Sequence, residues 1–431
     1  MFKVGAPVTG EDFIGRETEI ERIVSAIKSG NNISVYGMAR IGKTSIIKEI
    51  VRRASATDIF QKTPMFFEFR LTKDKNIRYH FFEDLKDFIL DKVEEYDGEE
   101  TNEINSLKRL ISRVEDGQDE KMVNHERYIR MCSKITKLYD NDIWIILDEM
   151  DYANTAFGSY IQKIRELVTT DRVHVINISR HSLTSIFPAH SEGSNYPGVV
   201  TQNIPIIGFS QNDTCSFKDR FNTITGLKNA DTIWESMIKY TGNVPYFLAL
   251  LSNEISANNA QTIADIAENP YGKYMETLKY WYQSLYSDNM LDNAIKYIED
   301  PIQANTKNLL VFGIIQDGTF SVPWFADYIQ TQSEMGQPSD LMDEYYEMQT
   351  QIPVLLTRGK NVSQGVMRDR ETLKRINVCI QELESMESKI ECMRVLNEKN
   401  TFVRIVPSVE EINLFDTKIR DINDYFEQLE G

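Results

Sequence analysis

Two kinds of apolar pattern alternate along the first 210 residues. Ile20, Ile23, Val24 and Ile27 recur at three- and four-residue spacing, which predicts a first helix with one buried face. Asn31 and Asn32 break that pattern, and Ile33–Tyr36 reads as a short buried strand. Ile46, Ile47, Ile50 and Val51 then mark the inward face of a helix from Lys43 to about Ala54. Met65–Phe69, Ile143–Leu147, Val173–Ile178 and Ile204–Ile207 are further short apolar runs. Strands that are apolar on both faces, separated by helices, predict a parallel sheet covered on both sides. A helical insert occupies about 74–140, with an acidic, glycine-containing break near Tyr96–Glu103.

After Gly208 the pattern is helical. Asn212-Asp213-Thr214 is a helix start before Phe217 and Phe221, and two or three more helices are expected from Thr232 to Ile298. Residues 305–360 mix short helices with the strand-like Thr319–Val322 and Val354–Thr357, which predicts a small winged-helix unit. Beyond it, Ile376, Ile380, Leu383, Ile390 and Met393 form one amphipathic pattern. Ile412, Phe415, Ile419, Ile422, Phe426 and Leu429 form another, joined to the first by Thr401–Pro407. Each run is only about three heptads, which predicts a hairpin packed within the chain, with an assembly surface as the alternative.

Composition narrows the function classes. The 431 residues are 41% hydrophobic and 26% charged, an ordinary globular balance that excludes disorder for the bulk of the chain. Lys and Arg total 48 against 65 Asp and Glu, a net charge of −17, which disfavours sequence-independent DNA binding. Cys132, Cys215, Cys379 and Cys392 contain no CxxC pair, and the five histidines have no ligand spacing, so each histidine is read as a surface or packing residue. The longest apolar run, Val244–Leu251, is too short to cross a bilayer. The opening MFKVGAPVTGEDF lacks a signal-peptide core. A soluble, reduced, cytoplasmic protein with no membrane contact is expected.

Three segments carry chemistry. Gly37-Met38-Ala39-Arg40-Ile41-Gly42-Lys43-Thr44 fits the phosphate-binding pattern GxxxxGK[ST], with Ser45 next, between a buried strand and a helix. The glycines let backbone N–H groups turn toward phosphate oxygens, and the helix N-terminus adds its dipole. Lys43 would reach the β- and γ-phosphates of ATP, and Thr44 would ligate Mg²⁺. Asp148-Glu149 directly follows an apolar strand, a Walker B arrangement: Asp148 would hold Mg²⁺ through water, and Glu149 would polarise the attacking water. Asn177-Ile178-Ser179-Arg180 gives the Val173 strand a polar tip, where Arg180 could stabilise charge on the transferred phosphoryl group or simply pair on the surface.

FIGRETEIERI, GMARIGKTS, ILDEMD, INISR and TGNVPYFL, in that order over about residues 10–255, resemble the STAND branch of P-loop ATPases. More closely, they resemble its prokaryotic archaeal-type or AAA-like relatives. The resemblance implies an α/β fold of the P-loop NTPase type. Phe13, Ile14 and Arg16 would lie near adenine and ribose, Gly242 and Pro245 would begin a lid helix, and Arg180 would be the arginine at the sensor-strand tip. The chain has no arginine between Arg180 and Arg220 or between Arg220 and Arg358, where ordinary AAA+ machines carry a finger and a second sensor. The expected organisation is an ATPase domain over 1–225, a helical lid over 226–300, a winged helix over 301–362 and a helical tail over 363–431. The expected function is a slowly hydrolysing ATP switch in signalling or defence, with ATP and ADP as ligands, Mg²⁺ as cofactor, and a protein effector, sensor or second copy as partner. The alternative is an AAA+-like, DNA-associated ATPase that uses the winged helix. The insert at 74–140 would be a partner surface or a solvated elaboration.

Overall fold

The computed structural model describes residues 1–56, 59–72, 77–98, 101–115, 125–153, 161–187, 193–227, 230–255, 273–287, 290–316, 318–334, 351–360, 362–363, 370–392, 394–396, 402–404, 418–426 and 429. The chain forms two compact units, Met1–Ile329 and Gln330–Gly431.

In the first unit the apolar runs become strands β1 (Ile33–Tyr36), β2 (Met65–Arg70), β3 (Ile143–Asp148), β4 (Val173–Ser179) and β5 (Gln202–Pro205). They form one parallel sheet in the order β2-β3-β4-β1-β5. Helices follow in chain order: α1 (Glu17–Lys28), α2 (Lys43–Ala56), α3 (Ile77–Glu94), α4 (Asn102–Glu115), α5 (His125–Tyr139), α6 (Ile161–Val168) and α7 (Leu183–Ile186). α8 (Gln211–Thr225), α9 (Ala230–Thr241), α10 (Pro245–Ile255), α11 (Lys273–Ser287), α12 (Leu291–Glu299), α13 (Lys307–Val311) and α14 (Pro323–Glu334) complete the series.

Strand β3 reads as a continuous apolar run because its two faces enter two different cores. On β3, Trp144 and Ile146 join the core built by α1, α2 and the helices after α8. Ile143, Ile145 and Leu147 join the core of α3 to α6. This is the α/β fold of P-loop NTPases. The broken insert is present as α3, α4 and α5, with the break between Glu94 and Asn102.

Two strand expectations shift. β5 covers Gln202–Pro205 rather than Ile204–Ile207. Ile206 still donates its N–H to Tyr36 O at 2.8 Å, and Pro205, which has no N–H to give, sits on the sheet edge. The segment Thr319–Val322 contributes only β7 (Thr319–Phe320), paired antiparallel with β6 (Ile315–Gln316).

In the second unit Val354–Thr357 is not a strand. Residues 351–360 are helical, because Ile352, Leu355 and Leu356 share one buried face while Val354 is exposed. The boundary between the two units, Ile329/Gln330, falls inside the span 301–362 expected as a winged helix. A helix α15 (Arg370–Cys392) and the helical residues 418–426 pack Ile376, Leu383, Ile419, Ile422 and Phe426 with that face in a separate small core. A short hairpin, β8 (Arg394–Leu396) with β9 (Phe402–Arg404), follows α15. Ile412 and Phe415 lie outside the described residues.

Candidate functional site

The site is built at the carboxyl ends of the strands, where β1 and β3 release their chains. After β1, Gly37 has φ +151°, and a Cβ there would stand 2.2 Å from Ile206 O. Only glycine lets the loop leave the sheet so close to β5. Gly42 (φ +103°) and Arg40 (φ +64°) make the remaining bends before α2. Lys43 folds back over this loop and donates to Gly37 O at 2.9 Å and Met38 O at 3.0 Å. Burial lowers its pKa to about 8, against the attraction of Asp151, Glu149 and Asp148.

Thr44 Oγ1 donates to Asp148 Oδ2 at 3.0 Å, which joins the P-loop helix to the end of β3 across the intervening β4. Burial pushes the Asp148 carboxyl up, and the Thr44 hydroxyl and the Glu149 N–H oppose that. Glu149 sits in the left-handed region at φ +60°. Its carboxylate faces Arg70 Nη2 at 3.3 Å and Arg180 Nη2 at 3.9 Å. Arg70 is largely exposed, so that pair is weak and exchangeable with water.

Around these groups lies a cavity of about 690 Å³. Its walls hold Phe13, Ile14 and Arg16 from the N-terminal segment, Ala39 to Ser45 from the loop, Asp148, Glu149 and Arg180 from the strand ends, and Pro245 from α10. Three expected residues lie off its wall. Gly37 and Met38 serve through their carbonyls. Gly242 (φ +57°) packs so tightly that a Cβ would meet Ser321 O at 1.7 Å, so it seats α10 on the β6-β7 segment.

Arg16 borders the cavity but is 2% exposed, and its polar atoms are committed elsewhere. Its guanidinium donates to Ile41 O at 3.0 Å, Gly208 O at 3.2 Å and Glu19 Oε1 at 2.7 Å. Its N–H donates to Asp213 Oδ1 at 2.9 Å. It is a clamp between the P-loop, the end of β5 and α8. Asn177 also departs from expectation. It is fully buried, accepting from Tyr196 OH at 2.9 Å and donating to Ile33 O at 3.3 Å, so Ser179 and Arg180 alone carry the polar tip into the cavity.

Several residues here were not legible from spacing. Asp151 accepts from the N–H groups of Arg180 and His181, and its Oδ1 lies 2.7 Å from His181 Nδ1. His181 is thus a packing histidine that braces Asp151 behind the cavity wall. Trp281 Nε1 donates to Ala39 O at 2.9 Å, and Arg40 stacks on Tyr246 at 5.4 Å, so α10 and α11 hold the loop's tip. Val8 N–H reaches Ser45 Oγ at 3.2 Å and Gly10 N–H reaches buried Glu49 at 2.8 Å, pinning the N-terminal segment along the cavity. Arg52 and Arg53 bind the same Glu49 carboxylate. Burial alone would raise its pKa; these hydrogen bonds bring it to about 2.

A phosphate loop, a strand-end Asp-Glu pair and the β2-β3-β4-β1-β5 order define a nucleotide-binding P-loop ATPase. Residues 13–251 match the model of a family described as an ATPase domain predominantly from Archaea, and the chain belongs to that family. No curated protein matches the chain. Among solved structures, a Walker-type ATPase of Pyrococcus abyssi aligns over 76% of this chain and 99% of its own at 11% identity and TM-score 0.49. The Aeropyrum pernix ORC1 protein in complex with DNA aligns over 97% and 94% at 12% identity and TM-score 0.37. The Aeropyrum pernix ORC2 protein in its ADPNP–ADP complexes aligns over 97% of each chain at 10% identity and TM-score 0.40. Among the described residues no helix is long and apolar enough to cross a membrane.

Proposed function

We propose that the protein is an ATP-dependent molecular switch of the STAND type, which closes on Mg²⁺-ATP and is reset by slow hydrolysis. The observation that carries this reading is the Thr44 Oγ1–Asp148 Oδ2 hydrogen bond at 3.0 Å, with the Lys43 ammonium beside it. One hydroxyl and one half-buried carboxylate fit Mg²⁺, which takes one or two protein oxygens and completes its shell with phosphate and water oxygens. Among the described residues no group of three or more His, Cys, Asp or Glu gathers into a self-sufficient metal cage, so any ion here would share the nucleotide's phosphates. Bound Mg²⁺ would neutralise phosphate charge.

The chain's own groups supply the rest. Lys43 leaves the loop carbonyls for the phosphates, and the loop N–H groups and the N-terminus of α2 cradle them. Glu149 orients the attacking water, and Arg180 meets the charge that develops on the transferred group. Phe13, Ile14 and Pro245 flank the base and ribose. The helices from 226 to 300 act as a lid, since Trp281 and Tyr246 already touch the loop that must rearrange around phosphate. The output is a protein effector, a sensor partner or a second copy of the chain, in signalling or defence.

Hydrogen exchange tests the switch. With Mg²⁺ and a non-hydrolysable ATP analogue, α10 and α11 should be protected more strongly than with ADP. Identical protection in the two states would leave an ATPase that is not a switch.

A further inference from the structure

Asp151 stands three residues after Asp148, in the short helical turn Met150–Tyr152 that follows left-handed Glu149. Its side chain is only 9% exposed. Oδ2 accepts the N–H of Arg180 at 2.8 Å. Oδ1 accepts the N–H of His181 at 3.1 Å and faces His181 Nδ1 at 2.7 Å. With both oxygens engaged by consecutive backbone N–H groups, the carboxylate cannot rotate freely. It ties the turn that follows β3 to the turn that follows β4. Those turns carry Glu149 and Arg180, whose Oε2 and Nη2 are 3.9 Å apart.

We propose that Asp151 is a positioning residue for hydrolysis: its carboxylate sets Arg180 against the terminal phosphate, and His181 holds the carboxylate in that orientation. The inference rests on the reading of the cavity as an ATP site. The staple grips the backbone at the arginine itself, and the same Oδ2 lies 3.8 Å from Arg180 Nε. It leaves the guanidinium on the cavity side, where Nη2 lies 3.5 Å from Tyr152 OH and the group faces the Tyr280 ring at 6.0 Å. Burial pushes the Asp151 carboxyl up, but the hydrogen bonds from His181 and from the Arg180 N–H more than offset this, so it stays charged at neutral pH. A group that acts through Arg180 should affect turnover and the discrimination of ATP from ADP, and should leave ADP binding alone, because ADP lacks the phosphate that Arg180 meets.

The test uses the full chain with Asp151→Asn, Arg180→Ala and the double variant. It measures turnover and the affinities for ADP and for a non-hydrolysable ATP analogue. Asp151→Asn should lower kcat about ten- to hundredfold, the scale of a small misplacement in an active site. It should shift the analogue-over-ADP preference toward that of Arg180→Ala, with ADP affinity within about threefold of wild type. The double variant should be no worse than Arg180→Ala within the same margin, because two residues that act as a unit are non-additive. Wild-type kcat and preference in Asp151→Asn, or an additive loss in the double variant, would overturn the proposal.

If Asp151→Asn does not fold, His181→Asn and His181→Phe carry the test. The asparagine keeps a side-chain N–H donor and should retain turnover, whereas phenylalanine should lose it; equal turnover in the two would overturn the role given to His181 and the proposal with it. A wild-type protein that binds neither nucleotide would overturn the parent reading together with this one. Nucleotide binding that is lost in Lys43→Ala, with kcat and the analogue-over-ADP preference both unaltered in Asp151→Asn, would overturn this one alone.

Discussion

Lys43 is a half-buried cation that spends its hydrogen bonds on two loop carbonyls, and desolvation has brought its pKa down to about 8. Phosphate oxygens would restore the charged form. Binding therefore takes up a proton once the pH exceeds about 8, and ATP affinity should fall above that point by up to about tenfold per pH unit. Isothermal titration from pH 7 to 9.5 checks this, and a flat profile would refute it. Glu149→Gln removes the carboxylate that orients water; hydrolysis should fall at least about a hundredfold while binding persists. Arg16 makes a different kind of prediction, because the structure turns its guanidinium into the protein. Arg16→Ala strands the carbonyls of Ile41 and Gly208 and the partly buried Glu19, and should cost roughly 3 kcal/mol or more in denaturant unfolding.

At the scale of elements, the site depends on how tightly loops and helices approach one another. Gly242 closes the turn between α9 and α10 at φ +57°, against Ser321 O. Gly242→Ala forces both an unfavourable backbone and a collision, and should lower stability by roughly 1–3 kcal/mol. Thermal unfolding of the variant measures this, and an unchanged midpoint would contradict the packing. The same closeness explains what the sequence made legible. Glycine spacing, with an apolar strand before it and a helix after it, revealed the P-loop, and a five-residue apolar run revealed β3 and its Asp-Glu end. Strand β3 had no polar alternation because both of its faces are covered. Val354–Thr357 misled for a related reason: Val-Leu-Leu-Thr is β-like in composition, and only the 3–4 spacing of Ile352, Leu355 and Leu356 marks the helix. Asp151 and His181 were invisible as a pair because thirty residues separate them, and only the parallel register of β3 and β4 brings their turns together.

The whole molecule is two compact units, and the second has its own small core. A chain ending at Glu334 should unfold cooperatively and still bind Mg²⁺-ATP, as followed by circular dichroism and titration. Loss of cooperative unfolding would show that the first unit cannot stand alone. The net charge of −17 sets a further expectation: weak or absent binding to random duplex at physiological salt. Tight binding in a mobility-shift assay would favour the DNA-associated alternative over the switch. The central claim is that ATP binds at the P-loop through Lys43. Calorimetric titration of Mg²⁺-ATP into wild type and Lys43→Ala tests it most directly. Saturable binding by wild type, weakened at least about tenfold by the loss of one charge-assisted contact, is the expected result. Equal affinity in the two proteins would contradict the account.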